Sequence, residues 1–180
     1  MPRWIVTALG QDQPGIVAAV TKVLYQLGCN LEDSAMTRLE GEFAIMLIFS
    51  MPQRIDEKTI HARFQPLERK LALAIHLKRL NAREAQAPRR RGQTHLISIY
   101  GADRPGIVFR VSEALARIGI NITDVHTHRS TGRGPSLYLL LLEVEIPPRL
   151  LASSVKTQLA RIAKQLRVEL SLRPSQAAIL

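Results

Sequence analysis

Two short strings in this sequence carry residue types suited to capturing a small zwitterion. Gln11-Asp12-Gln13-Pro14-Gly15-Ile16-Val17 recurs as Ala102-Asp103-Arg104-Pro105-Gly106-Ile107-Val108. In each, Gly and Ile stand where an amphipathic helix begins. The first amides of a helix have no intrahelical acceptor and lie at the positive end of its dipole. The amides of Gly15 and Ile16, and of Gly106 and Ile107, therefore suit a carboxylate. Asp12 and Asp103 offer a counter-charge to an ammonium. The same residue types also make a plain turn and helix cap, because Asp caps helices and Pro needs no donor in a first helical turn. Both interpretations are open on the sequence.

The elements that must position these strings come in two copies. Shifted by 91 positions, the chain matches itself without a gap from Gly10/Gly101 through Val20/Val111, Leu24/Leu115, Gly28/Gly119, Asn30/Asn121 and Asp33/Asp124 to Arg38/Arg129. About 12 identities in 29 positions mark an internal duplication. Ile5 to Leu9 and His95 to Tyr100 are short apolar strands ending at Gly10 and Gly101, where the chain must turn sharply. Apolar residues then recur at three- and four-residue spacing, as Ile16, Val17, Val20, Val23, Leu24 and Leu27, and as Ile107, Val108, Val111, Leu115 and Ile118. Gly28 and Gly119 follow in the place of a left-handed helix cap.

Two strands come next in each copy, Leu31–Leu39 with Glu42–Met51 and Ile122–Arg129 with Ser136–Ile146. The first pair closes around Glu40-Gly41, the second through a longer connection from Ser130 to Pro135. A second helix is carried by Ile60, Phe64, Leu67 and Leu71, and by Leu151, Val155, Leu159, Ile162 and Leu166. Pro66 predicts a kink or break near Ala62–Gln65. Last strands fall near Ala74–Leu80 and Arg167–Leu172. The order βαββαβ, twice, predicts α+β architecture: two ferredoxin-like domains, each a four-stranded antiparallel sheet with helices on one face. The expected organisation is domain 1 over 1–81, an Arg-rich linker over 82–92, domain 2 over 93–175 and a tail over 176–180.

Composition narrows the function classes. No apolar run reaches the roughly 18 residues that span a bilayer, and the start has no secretory pattern, so a cytoplasmic protein without membrane contact is expected. The single cysteine, Cys29, excludes an internal disulfide and reads as a buried structural thiol. The net charge of +10 is spread, with ten Lys and Arg against eight Asp and Glu in 1–81, four against one in 82–92 and eleven against six in 93–180. Its densest point, Arg89-Arg90-Arg91, reads as solvated linker, with an acidic partner or nucleic acid as the alternative. No cofactor pattern is present. His126 and His128 share one face of a strand, but no third ligand accompanies them.

The βαββαβ order, with Asp-x-Pro-Gly-Ile-Val after the first strand and Gly-x-Asn before the second, resembles the ACT domain, an amino-acid-binding regulatory module. More narrowly, the run from Asn30 through Asp33-Ser34-Ala35-Met36-Thr37-Arg38-Leu39-Glu40-Gly41-Glu42-Phe43-Ala44 is similar to the glycine cleavage system transcriptional repressor family. That resemblance implies a non-enzymatic sensor of a small amino acid, glycine foremost, acting on a DNA-binding transcription factor to repress glycine cleavage genes. It implies ligand contact by the loop after the first strand together with the Asn that opens the second. Those positions are Gly10, Asp12, Gly15, Ile16 and Asn30, and Gly101, Asp103, Gly106, Ile107 and Asn121. Some ACT domains carry an amide in place of Asp12 and Asp103 and a bulky polar residue in place of Gly10 and Gly101, so the choice of ligand stays open.

Two rival functions use the same element order. Gly106-Ile107-Val108-Phe109-Arg110 looks like the phosphate-cradling loop of acylphosphatases, but the required Asn does not follow at a matching offset, and Ala19 stands in the first copy where Arg110 falls. A nucleic-acid-binding RRM stacks bases on sheet aromatics, whereas the third strands here read Phe43-Ala44-Ile45-Met46-Leu47-Ile48 and Leu137-Tyr138-Leu139-Leu140-Leu141-Leu142. An aliphatic sheet face that helices do not cover predicts self-association or sheet packing within the chain, through Leu137, Leu139 and Leu141 or through Tyr138, Leu140 and Leu142.

Overall fold

Period-two burial along the strands and period-3.6 burial along the helices build each half of the chain. The structure is a computed structural model that describes residues 1–52, 55–81, 92–130 and 136–175. It divides into two compact units, Met1–Ala87 and Pro88–Leu180. The first holds β1 (Arg3–Gln11), α1 (Ile16–Gln26), β2 (Asn30–Leu39), β3 (Glu42–Ser50), α2 (Glu57–Leu71) and β4 (Ala74–Leu80). The second holds β5 (Gln93–Ala102), α3 (Ile107–Arg117), β6 (Asn121–Ser130), β7 (Leu137–Ile146), α4 (Ala152–Leu166) and β8 (Val168–Pro174). The sheets run β2-β3-β1-β4 and β6-β7-β5-β8, with every neighbouring pair antiparallel. This is the ferredoxin-like fold, twice, as the element order predicts.

In the first unit Trp4, Val6 and Ala8 alternate with solvent-side residues and pack with Phe43, Ile45, Leu47 and Phe49 beneath Ile16, Val20, Leu24, Ile60 and Phe64. In the second, Ile97, Ile99, Leu140, Leu142, Val144 and Ile146 pack beneath Ile107, Val111, Leu115, Val155 and Leu159. That alternation puts Leu140 and Leu142 in the core, so the opposite face of β7 carries Leu137, Leu139 and Leu141. Cys29 is half-buried against the first core, and burial pushes its thiol pKa up.

The helix exits match expectation in detail. Gly28 and Gly119 adopt positive φ of 68° and 74°. Around them Gly28 donates to Tyr25 and Cys29 to Leu24, and Gly119 donates to Ala116 and Ile120 to Leu115. These are the paired bonds of a Schellman cap. Glu40 and Gly41 both have positive φ, the requirement of a tight two-residue hairpin turn.

Two readings need correction. Of the kink or break expected at Pro66, the break does not occur, because α2 runs continuously from Glu57 to Leu71. Ile60 and Phe64, both fully buried, bind the helix to the core next to the proline and override its local cost. Neither Asp12 nor Asp103 caps a helix: α1 and α3 begin from Gly15 and Gly106, with no side-chain cap. Pro14 and Pro105 therefore precede the helices instead of sitting in their first turns. The segments 82–91, with Arg89-Arg90-Arg91, and 176–180 lie outside the described residues, as does 131–135 of the second hairpin connection.

Candidate ligand-binding site

Each copy shapes a concavity at the expected loop. Gly15 (φ 95°, ψ −6°) and Gly106 (φ 91°, ψ 1°) sit in left-handed geometry just before the helix, a conformation that side-chain-bearing residues rarely adopt. The first intrahelical bonds run from Ala19 to the Gly15 carbonyl and from Arg110 to the Gly106 carbonyl, both 2.9 Å. The amides ahead of them open each helix without a capping side chain, so the anion-favouring end of the dipole faces the loop. A backbone bond from Asp12 to Gly41 (2.8 Å), and its counterpart from Asp103 to Ser136 (2.9 Å), ties each loop to the neighbouring strand connection.

Around the first loop, Asp12, Gln13, Gly15, Ile16, Val17, Ala18, Met36 and Phe43 line a cavity of about 500 Å³. Around the second, Asp103, Arg104, Pro105, Gly106, Ile107, Val108, Phe109 and Tyr138 line one of about 390 Å³. Each joins a half-exposed carboxylate and a helix start to an apolar wall, in a volume suited to a small molecule.

The carboxylates have partners that residue type alone did not reveal. Arg38 Nη1 donates to Asp12 Oδ2 at 3.2 Å, and Arg129 Nη1 lies 3.6 Å from Asp103 Oδ2. The signal was present: both members of each pair are identical between the copies, 26 positions apart in each. A carboxylate accepts several hydrogen bonds, so the guanidinium orients Asp12 and leaves acceptor capacity for an ammonium. Met36, Phe43 and Tyr138 were likewise missed as wall residues, since only the strand register brings them beside the loops.

The structure separates the asparagines from these loops. Asn30 pairs with Ser50 and Ser50 with Arg3, whereas Gly10 pairs with Phe43 and Phe43 with Arg38. Seven strand residues, or about 23 Å, lie between the two ends. Asn121, opposite Glu145 and in line with Thr94, is equally remote from Gly101. The cause is topological: the helix between loop and asparagine runs back along the sheet, so whatever follows it emerges at the far end. Gly10 and Gly101 do not line the cavities either. A Cβ on Gly10 would meet Leu73 Cδ2 at 2.7 Å, and one on Gly101 would meet Val168 Cγ1 at 2.8 Å. Close packing against the neighbouring strand segment accounts for both glycines.

Arg110 lines a groove between α3 and α4 rather than the cavity at Gly106, which places it outside a phosphate cradle built on that loop. His126 Nε2 contacts Asp124 Oδ2 at 2.8 Å, and among the described residues no three His, Cys, Asp or Glu converge as metal ligands.

A family model of the ACT domain matches residues 3–78 and again 93–173. The chain belongs to the ACT-domain family. The crystal structure of a protein from Galdieria sulphuraria superposes with a TM-score of 0.78 at 26% identity, over 97% of this chain and 98% of that one. A crystal structure described as a glycine cleavage system transcriptional repressor superposes with a TM-score of 0.68 at 18% identity, over 96% of each chain, a likeness of fold. The glycine cleavage system transcriptional repressor of Escherichia coli K12 is 44% identical over 46 residues, which are 26% of this chain. The match spans about a quarter, 24%, of that relative's length. Among the described residues no helix is long and apolar enough to cross a membrane.

Proposed function

We propose that this tandem ACT protein is an amino-acid-sensing regulator, with glycine as its foremost ligand, that acts by contacting a DNA-binding transcription factor and restrains glycine cleavage genes. The observation that carries the sensing role is the repeated loop, in which a carboxylate oriented by arginine faces the uncapped start of a helix across a small cavity. The carboxylate of a free amino acid takes the amides of Gly15 and Ile16, or of Gly106 and Ile107. Its ammonium takes Asp12 or Asp103. The regulatory role draws on the similarity to the E. coli repressor.

Asn30 joins this site through assembly. The edge strand β2 is exposed along all ten residues. A second such strand laid antiparallel along it carries its own Asn30 toward the Leu39 end, which is the end that holds Asp12 and Arg38. Self-association and a complete ligand site are thus one event.

A thermal-shift panel of the twenty amino acids tests the proposal, because a ligand bound only to the folded state raises its stability. Glycine at about 10 mM, against a dissociation constant of about 1 mM, adds about 1.4 kcal/mol, several degrees for a domain of this size. A panel in which no amino acid shifts the transition sinks the sensing role.

A further inference from the structure

A second concavity of the second repeat lies beside the ligand loop and shares only Phe109 with its cavity. It is a groove of about 590 Å³ between α3 and α4, lined by Phe109, Arg110, Glu113, Ala114, Arg117, Ile118, Gln158, Arg161, Ile162 and Gln165. Arg110 and Arg117 lie seven residues apart on one face of α3, spanning about 10 Å of helix, and Arg161 faces them from α4. Arg117 donates to Glu113 at 2.9 Å, which neutralises the groove's one carboxylate. Among the described residues, the guanidiniums of Arg110 and Arg161 have no ion-pair or hydrogen-bond partner, so the groove carries an unbalanced positive charge. Ile118 and Ile162 give it an apolar floor, and Phe109 stands 65% exposed at its mouth.

The first repeat lacks this surface. Its first helix has Ala18, Ala19 and Gln26 where the second has Phe109, Arg110 and Arg117. Counted from the start of each second helix, it has Pro66 where the other has Arg161. Two copies of one fold thus differ at a set of exposed side chains that no core requires.

We propose that this groove docks an acidic amphipathic helix of a protein partner. The inference rests on the reading that the chain acts by contacting a protein, and it names the surface. An apolar floor between two parallel rows of helical side chains accepts a third helix with apolar residues at three- and four-residue spacing. Flanking carboxylates on that helix meet the free guanidiniums of Arg110 and Arg161, which pair with carboxylates in a planar fork. A nucleic-acid backbone satisfies the arginines but leaves Ile118 and Ile162 without apolar contact, so the mixed lining favours the peptide.

Fluorescence anisotropy with the full chain tests this. The probe is a labelled synthetic helix of roughly 18 residues, about five turns, with leucines on one face and glutamates beside them. Its lysine-for-glutamate counterpart and an oligothymidylate of similar length serve as alternatives. The acidic helix is expected to bind, and the double variant R110E/R161E to weaken it about tenfold or more. Phe109→Ala is expected to weaken it as well, with little change in salt dependence. Each substituted side chain is exposed, and unchanged thermal unfolding of the variants confirms intact folding. The amino-acid thermal shift is expected to persist in the double variant, so failure of docking and failure of sensing give different results. No binding of the acidic helix, equal binding to parent and double variant, or tighter oligothymidylate binding abolished by R110E/R161E would overturn the proposal.

Discussion

Replacing Asp12 and Asp103 by alanine separates ligand chemistry from fold maintenance at the loops. Neither carboxylate caps a helix, so no capping loss is expected. What the fold loses is one surface ion pair. The Asp12–Arg38 pair has side chains 32% and 69% exposed, and such pairs contribute about 0.2 to 1 kcal/mol. The Asp103–Arg129 contact, longer at 3.6 Å, belongs at the lower end of that range. Binding should suffer more, because a hydrogen bond to a charged group is worth about 1.5 to 3 kcal/mol, or roughly 13- to 160-fold in affinity. Glycine has five heavy atoms, and a ceiling of roughly 1.5 kcal/mol per atom limits its dissociation constant to a few micromolar at best. With a parent affinity in the high-micromolar to millimolar range, either variant loses a calorimetric signal at its own loop. Urea unfolding of the same samples should show a loss below about 1 kcal/mol per site. If Asp12→Ala, Asp103→Ala and the double variant all bind as the parent does, the loops are not the site. If either single variant loses much more stability than an exposed ion pair carries, its aspartate is structural.

Other substitutions probe the backbone. Gly15→Ala should destabilise by about 1 to 2 kcal/mol through conformation alone, since φ is 95° and no atom lies within 4 Å of the added Cβ. Gly10→Ala should cost about 1 to 3 kcal/mol for the opposite reason, overlap with Leu73 at ordinary φ; denaturant midpoints measure both. Pro66→Ala should stabilise the first unit by up to about 3 kcal/mol by restoring a donor inside α2, and an unchanged melting temperature would contradict this. At the start of α2, Thr59, through its side chain and its amide, holds the Asp56 carboxyl below its ordinary pKa. A depressed folded-state pKa stabilises above the unfolded value and is lost as pH falls through the folded one. Asp56→Ala should therefore melt below the parent at neutral pH, with the gap closing in acid; a gap that persists there would show the cap to be independent of charge.

Much of the fold was legible because duplication doubled each signal. Gly28 and Gly119 end helices as their spacing requires, and the aliphatic third strands alternate between core and open face as their pattern implies. The errors arose where a local rule met a competitor. Asp12 has a capping residue's chemistry, yet Gly15 reaches a backbone conformation that lets the helix begin three residues later. Asp12 is left to Arg38, a partner that only the strand register brings near. Asn30 is close to the loop in sequence terms but a sheet's length away in space, because helix direction, not chain distance, decides where a residue emerges. The second helices end at Ala72 and Arg167 in left-handed conformation, positions at which no glycine announced the stop.

The edge strands carry one irregularity in common. Pairing skips a residue between Leu31 and Asp33 in β2, and again between Ile122 and Asp124 in β6, leaving Glu32 and Thr123 as the extra residues of matching bulges. Those two side chains differ in charge and size, and they hold different partners: Glu32 pairs with Arg3, while Thr123 donates to Glu143. The two halves thus share the shape of the main chain here and differ in the side chain it carries. An edge so bent can lie flat against a foreign strand only along the straight stretch beyond the bulge. Each outer edge is thereby limited to short, bounded pairing, which guards it against open-ended stacking into fibres.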